Sequence, residues 1–365
     1  MMAALLFTGI CFAEEQPAEI IDLGIPTAQR YRESELDARN PWDMVIHNGI
    51  LYVGCGDYSV NTGYVNLFGC DLTTHEWKKM RTITEEAVLR FVTIGDQLLI
   101  PGTDPLSDWP NGFYYALTDG KWKTNRVMGA IHMYDIVDFD HARFVGIGTS
   151  GDMYRPVLLQ REGEKRFENA VFMMDGQEMF GKDEYTRLRT YDIFMLNGKM
   201  YATVEALPDF DGLFVYQDGA FHYHSSPLFL KEKGDRQGRI YEKVVLGDTV
   251  YFTNGKLRST SDFQEIAMIT LPDHAICEFL LLDTDESGQE TMYVLGSKKS
   301  EGELYRTIIW RYEEGGNFHE VFSMESAMRP MSFAKDGDDF YIGMGSYHAT
   351  MQQSEWIGRI LKIDR

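Results

Sequence analysis

The sequence predicts an all-β protein, a seven-bladed β-propeller with four-stranded blades, on three observations. A strand–turn–strand pattern recurs seven times, its second strands marked by Tyr52, Leu99, Phe144, Tyr201, Tyr251, Tyr293 and Tyr341, spaced 42 to 57 residues apart. Six copies are followed by a further strand bearing a large aromatic, at Trp77, Trp122, Phe167, Phe221, Phe263 and Phe318. The seventh is not: the chain ends at "GRILKIDR", while an orphan strand-like "AEIIDLGI" stands at residues 18 to 25, ahead of the first copy. A ring whose N-terminal strand completes the last blade accounts for both facts and covers what would otherwise be open sheet edges.

Taken in order, the chain opens with "MMAALLFTGICFA" followed by two glutamates, which fits a secretory signal over residues 1–13 cleaved after Ala13. It lacks the Lys or Arg usually found ahead of such an apolar core, which suggests a misplaced start codon or a trimmed chain. Residues 14–365 are then expected to form one propeller domain, secreted or periplasmic. The copies begin at Trp42, Leu89, Tyr134, Tyr191, Tyr241, Cys277 and Met331, and the turns "HNG", "IGD", "LNG" and "LGD" fall at the same point of successive copies. Gly, Asn and Asp belong there because a tight hairpin turn needs positive φ.

Composition excludes some partners. Against 35 Lys and Arg stand 56 Asp and Glu, and a formal charge of −21 repels phosphate backbones, so nucleic acid is not expected. No segment reaches the roughly 18 uninterrupted apolar residues of a membrane span. Beyond the signal, Cys55, Cys70 and Cys277 are too few for a disulfide framework and read as buried thiols. No extended apolar face is evident, and a monomer is the expectation.

Loops after each second strand share one end of the ring with the links that enter the next inner strand. "GCGDYSVNTG" from Gly54 is one, with counterparts from Gly102, Gly148, Glu205, Gly296 and Gly345. Their polarity marks a rim around a central channel, where a rigid scaffold presents binding groups. Trp42, Tyr58, Trp109, Tyr154 and Trp356 offer flat apolar faces there, and Asp57, Asn61, Asp104 and Asp108 offer hydrogen bonds.

Two polar columns also line up at the starts of the inner strands. The first holds Asn40, His132, Arg189, Arg239 and Arg329; three residues later come Asp43, Arg90, Asp135, Asp192, Glu242 and Ser332. The acids fit buried carboxylates bonded to Arg or to backbone N–H groups of neighbouring blades. The basic column fits either a bidentate clamp for a carboxylate or sulfate, or neutralisation of those same acids. Two weaker signals are a turn with Asp283, Asp285 and Ser287, like the front half of a calcium loop without its distal carboxylate, and His222 with His224 on one strand face. Both read as solvated surface; no metal and no cofactor is expected. Gly-x-Ser-x-Gly, His-Glu-x-x-His, P-loop and dinucleotide fingerprints are absent.

"STSDF" at 259–263 is similar to an Asp-box turn, with Thr260 and Asp262 at its Ser and Asp positions, Gln264 in place of its Gly and Ile266 in place of its aromatic. On that motif and the repeat, the chain resembles secreted bacterial propellers of the broad Kelch and sialidase-like kind. The resemblance implies an Arg trio, for which Arg189, Arg239 and Arg329 are candidates with Tyr191 or Tyr241 nearby.

Three functions are expected in this order: binding of a glycan or another extracellular ligand at the rim; hydrolysis or elimination on an acidic polysaccharide; and a scaffold for protein partners. Elimination would use the three Arg against a uronate carboxylate and His132 or Tyr191 as base. Hydrolysis would need two carboxylates drawn from Asp43, Asp135, Asp192 and Glu242.

Overall fold

Apolar–polar alternation about Gly- and Asn-containing turns folds every copy of the repeat into an antiparallel hairpin. In the computed structural model these are Asp43–His47 with Ile50–Gly54, Val92–Ile94 with Gln97–Pro101, and His132–Phe139 with Ala142–Ser150. They continue with Ile193–Leu196 and Lys199–Leu207, Glu242–Leu246 and Thr249–Thr253, Ile276–Thr284 and Glu290–Lys299, and Arg329–Asp336 and Asp339–Gly345. Their turns use the left-handed region, as at Asn48 (φ 52°) and Gly49 (73°), and at Asn197 (51°) and Gly198 (70°). The structure describes residues 18–31, 33–57, 62–107, 111–150, 156–180, 187–207, 210–225, 242–253, 256–313, 316–346 and 355–365.

The protein is an all-β propeller, but the sevenfold count does not hold: five four-stranded blades are discrete sheets. The first two hairpins each gain two outer strands, Val65–Asp71 with Trp77–Ile83 and Gly112–Thr118 with Lys121–Val127. The fifth and sixth gain Leu257–Thr260 with Ala267–Ile269 and Tyr305–Glu313 with Asn317–Ser326. The last is completed by Ile360–Asp364 and, outermost, by Glu19–Gly24, paired antiparallel from Glu19↔Asp364 to Gly24↔Ile360. Trp77 fastens that closing strand to the first blade by donating from Nε1 to the Leu23 carbonyl at 2.7 Å.

The third and fourth hairpins run together in one 13-stranded sheet. The physical reason is a belt of backbone pairing at the rim. The chain stays extended beyond a second strand and meets the chain entering the next inner strand: Gly56↔Ala87, Ala87↔Thr103, Thr103↔His132, His132↔Gly148, Gly148↔Arg189 and Arg189↔Glu205. What reads as polar rim loop after Gly102, Gly148 and Glu205 therefore begins as strand, satisfying its backbone groups on its neighbours. Gly56 sits where this crossing is tightest: at φ 110°, a Cβ there would lie 2.4 Å from the Glu86 carbonyl oxygen.

The apolar core lies between neighbouring units, in clusters that mostly draw on two sheets, one cluster about Phe144 and Phe214 lying within the 13-stranded sheet. One joins Tyr52, Val65 and Leu67 to Phe91, Leu98, Ile100 and Tyr115. The closing-strand aromatics serve here, reaching the second-strand marker of the preceding unit: Trp122 on Tyr52 (6.1 Å), Phe221 on Phe144 (6.1 Å) and Phe263 on Tyr201 (5.1 Å). Each such ring pair contributes about 0.5–1.5 kcal/mol beyond its buried area. Cys55, Cys70 and Cys277 are free and buried. Among the described residues no helix is long and apolar enough to cross a membrane.

Candidate functional site

The starts of the inner strands converge on a cavity of about 540 Å³, lined from successive units by Trp42 and Asp43, Arg90 and Phe91, His132, Tyr134 and Asp135, Arg189 and Tyr191, Glu242 and Lys243, and Phe279. Thr103 and Asp104 contribute from the rim. A cavity of this size suits a small ligand or a few sugar rings.

The acidic column and its cations form an ionic hub. Arg90 reaches Asp135 and Asp192, each at 3.2 Å, and Lys243 reaches the same two carboxylates at 2.9 and 3.1 Å. The acids also reach forward one unit: Asp43 accepts from the Phe91 amide at 2.6 Å, and Asp135 from the Ile193 amide at 3.1 Å. Four carboxylates thus face two cations, and the surplus acids resist ionisation. Burial, with the neighbouring charge of Asp43, lifts Glu242 to about 8; burial lifts Asp43 to about 6 against the opposing pull of the Phe91 amide and Arg90. For Arg90, burial lowers the pKa, but the charges of Asp135 and Asp192 outweigh it and hold the guanidinium firmly protonated.

A second group in the cavity is organised differently. His132 faces Asp104, Nδ1 to Oδ1 at 2.9 Å, and Asp104 holds a left-handed backbone (φ 56°) to present that carboxylate. His132 stacks near-parallel to Tyr134 (6.0 Å), which packs on Tyr191 at 4.6 Å. Arg189 lies about 6 Å from both tyrosine rings (6.0 and 5.9 Å) and donates from Nη1 to the Tyr191 hydroxyl at 2.9 Å. Its Nε is buried without a hydrogen-bond partner. Among the described residues, Arg189 is the cavity-lining guanidinium or ammonium group that no carboxylate pairs with.

The belt explains why these groups share a face. Directly paired residues on antiparallel strands project to the same side, and the row runs Thr103, His132, Gly148, Arg189, Glu205. His132 and Arg189 thus flank a glycine, with their Cα atoms about 10 Å apart across two strand spacings. Gly148 keeps the gap open: a Cβ there would come within 2.9 Å of the Tyr134 ring and 3.1 Å of His132 Cδ2. Beside Asp104, burial lifts Glu85 to about 8 and Glu86 to about 7, with the Asp104 charge adding to both.

Of the residues that the sequence singles out, Trp42, Asp104, His132 and Arg189 come together in the cavity, with Asp43, Arg90, Asp135, Tyr191 and Glu242. Asn40 does not: fully buried, it clamps the Ser346 backbone, Nδ2 to O at 2.8 Å and Oδ1 from N at 2.9 Å. Arg329 forms a two-pronged pair with Glu278 (2.8 and 2.7 Å) and does not line the cavity. Asp57 is buried, its amide bonded to the Glu86 carbonyl. Trp356 packs on the last blade beneath the Arg359 guanidinium, 5.3 Å away. Arg239, Tyr58, Asn61, Asp108, Trp109 and Tyr154 lie outside the described residues.

Sequence reasoning gave Tyr134 no site role and passed over Phe91, Lys243 and Phe279. A signal for the tyrosines existed: an aromatic directly precedes the acid in Trp42-Asp43, Tyr134-Asp135 and Tyr191-Asp192. Elsewhere, the Asp285 carboxylate is occupied by Ser287 and Gln289 of its own turn. In the Asp-box-like turn Thr260 accepts from the Phe263 amide at 2.9 Å and Asp262 from that of Gln264 at 2.8 Å.

Radial sheets around a polar, aromatic-walled cavity define a β-propeller. No protein-family model matches the chain, and no curated protein matches it. Solved structures do. Virginiamycin B lyase from Staphylococcus aureus aligns at TM-score 0.54 with 10% identity over 95% of this chain and 99% of its own. PorZ, a surface component of the type-IX secretion system of Porphyromonas gingivalis, aligns at 0.55 with 12% identity over 89% of this chain and 46% of its own. A puromycin hydrolase aligns at 0.50 with 8% identity over 87% and 52%. At such identities the likeness is one of fold.

Proposed function

We propose that the protein binds an acidic glycan, or a similarly polyhydroxylated anion, in the axial cavity. The observation that carries this reading is Arg189, a cation without a carboxylate partner set among the faces of Tyr134 and Tyr191 in a chain of net charge −21. Arg90, Lys243 and Arg329 are each neutralised by carboxylates, so Arg189 is the group left for an incoming anion. Aromatic faces at Trp42 and Tyr134 suit the apolar side of sugar rings, and Thr103 and Asp104 suit their hydroxyls.

A lyase, a hydrolase and a secretion-system component share the fold, so the site and not the fold must carry function. Placement outside the cytoplasm rests on the apolar segment at residues 1–13, and the broad Kelch and sialidase-like kinship on the repeat and the turn at Thr260. A monomer is in keeping with large apolar side chains exposed one by one, as at Tyr64, Met128 and Met268. Titration calorimetry with oligogalacturonates and with neutral maltooligosaccharides tests the reading. Binding of the acidic series, weakened about tenfold or more by Arg189→Ala, is expected. Equal affinity for both series, or an indifferent Arg189→Ala variant, overturns it.

A further inference from the structure

We infer that the cavity is also catalytic, and that it cleaves 4-O-linked uronate chains by β-elimination with His132 as the base. This rests on the acidic-glycan reading and adds a reaction to it. Three features carry it together: the Asp104–His132 pair at 2.9 Å, the row that sets His132 and Arg189 on one face about Gly148, and the Arg189–Tyr191 hydrogen bond at 2.9 Å.

The chemistry follows from those positions. Asp104 accepts at Nδ1, which selects the tautomer whose Nε2 carries the basic lone pair on a cavity-lining ring. The proton next to a uronate carboxylate is acidic enough to remove only when the carboxylate's growing negative charge is stabilised. Arg189 stands on the same face to do that, one open glycine position away. His132 Nε2 takes the C5 proton, its electron pair forms the C4=C5 double bond, and the C4–O4 bond breaks with its electrons on O4. The Tyr191 hydroxyl gives O4 its proton and recovers one from solvent, while His132 returns its proton to water. No oxidant, reductant or metal enters the balance. Asp104 acts through His132 and is a positioning residue; Glu85 and Glu86 lie beside it and share its field.

The test uses the full chain with oligogalacturonates and with hyaluronan oligosaccharides, both 4-O-linked uronates, reading the ultraviolet absorbance of the unsaturated product and, separately, binding by calorimetry. The expected result is product from at least one series, a loss of about a hundredfold or more in rate for His132→Ala with affinity retained, and weakened affinity for Arg189→Ala. Asp104→Asn should lower the rate and shift the pH profile, and both effects separate positioning from scaffold damage. Binding of both series with no unsaturated product overturns the elimination and leaves the binding reading standing. No binding of either overturns both. Full activity in His132→Ala assigns the base elsewhere and overturns the role given to it.

Discussion

Two halves of the ring solve the same fastening problem by different means. Between residues 56 and 205 the units are joined by the backbone belt, from Gly56↔Ala87 to Arg189↔Glu205. From Glu242 round to Asn40, side chains make the joints among the described residues. Thr253 donates to the Cys277 carbonyl at 3.1 Å, Glu278 binds Arg329, Lys335 binds Asp283 at 2.7 Å, and Asn40 clamps Ser346. The difference decides the fate of one column of the repeat. Where the backbone joins the units, His132 and Arg189 are left to face the cavity; where it does not, Asn40 and Arg329 are consumed as fasteners.

The ionic hub spans both halves, and breaking it should have the largest effect. Arg90 comes from the stitched half and Lys243 from the other, and both hold Asp135 and Asp192, the latter fully buried. Arg90→Ala leaves two inward carboxylates with Lys243 alone among the strong cations, and a loss on the order of 3–5 kcal/mol is expected in urea unfolding. A loss below about 1 kcal/mol would mean that the belt holds its half without the hub.

The side-chain joints come next. Asn40→Ala removes both side-chain bonds to the half-buried Ser346 backbone, with an expected cost of about 2 kcal/mol. The matching change in the stitched half, Thr103→Ala, keeps its backbone pairing and should cost about half of that or less. If the two costs prove equal, the contrast between the halves is not energetic.

A smaller effect sits in the pH dependence. Glu242, raised from 4.5 to about 8, binds its proton more tightly when folded. The folded state therefore carries the extra proton across that range, and stability falls as pH rises from about 4.5 to about 8. Asp43, raised from 3.8 to about 6, contributes the same sign over its own lower window. Glu242→Gln should flatten the melting temperature between pH 5 and 8 relative to wild type. An unchanged slope would place the titration in another group.

The repeat was legible because hairpin turns and strand periodicity are local, so all seven inner hairpins form where the sequence sets them. The blade count was not, because sheet membership depends on pairing between segments such as Ser150 and Arg187, whose sequence carries no turn or periodicity signal. The site was half legible for the same reason. The columns at His132 and Arg189 could be read, whereas the bond that removes Arg329 from the cavity depends on Glu278, which follows its copy's first residue as the other acids do but falls out of a column aligned on the second-strand marker, because the longer turn of its hairpin sets it 15 residues ahead of Tyr293 where the others stand 9 ahead of theirs.

The smallest stability effect, and the sharpest use of the contrast, is the pair Arg329→Ala and Arg189→Ala. The two residues occupy the same position of the repeat. Arg329 neutralises Glu278, whose side chain is 12% exposed and whose carboxyl is pushed up by burial against Arg329's pull. Its removal strands that charge, and because Arg329 itself is 41% exposed the expected cost is about 1–2 kcal/mol, below the fully buried limit. Arg189 has no carboxylate to strand, and the backbone pairs Gly148↔Arg189 and Arg189↔Glu205 do not depend on its side chain. Its removal should cost under about 1 kcal/mol, chiefly the lost contacts with Tyr134 and Tyr191. Parallel melts with and without oligogalacturonate separate the two roles: added ligand should raise the midpoint of Arg329→Ala as it does that of wild type, and leave Arg189→Ala where it was. The reverse pattern would make Arg329 the ligand's residue and Arg189 part of the scaffold.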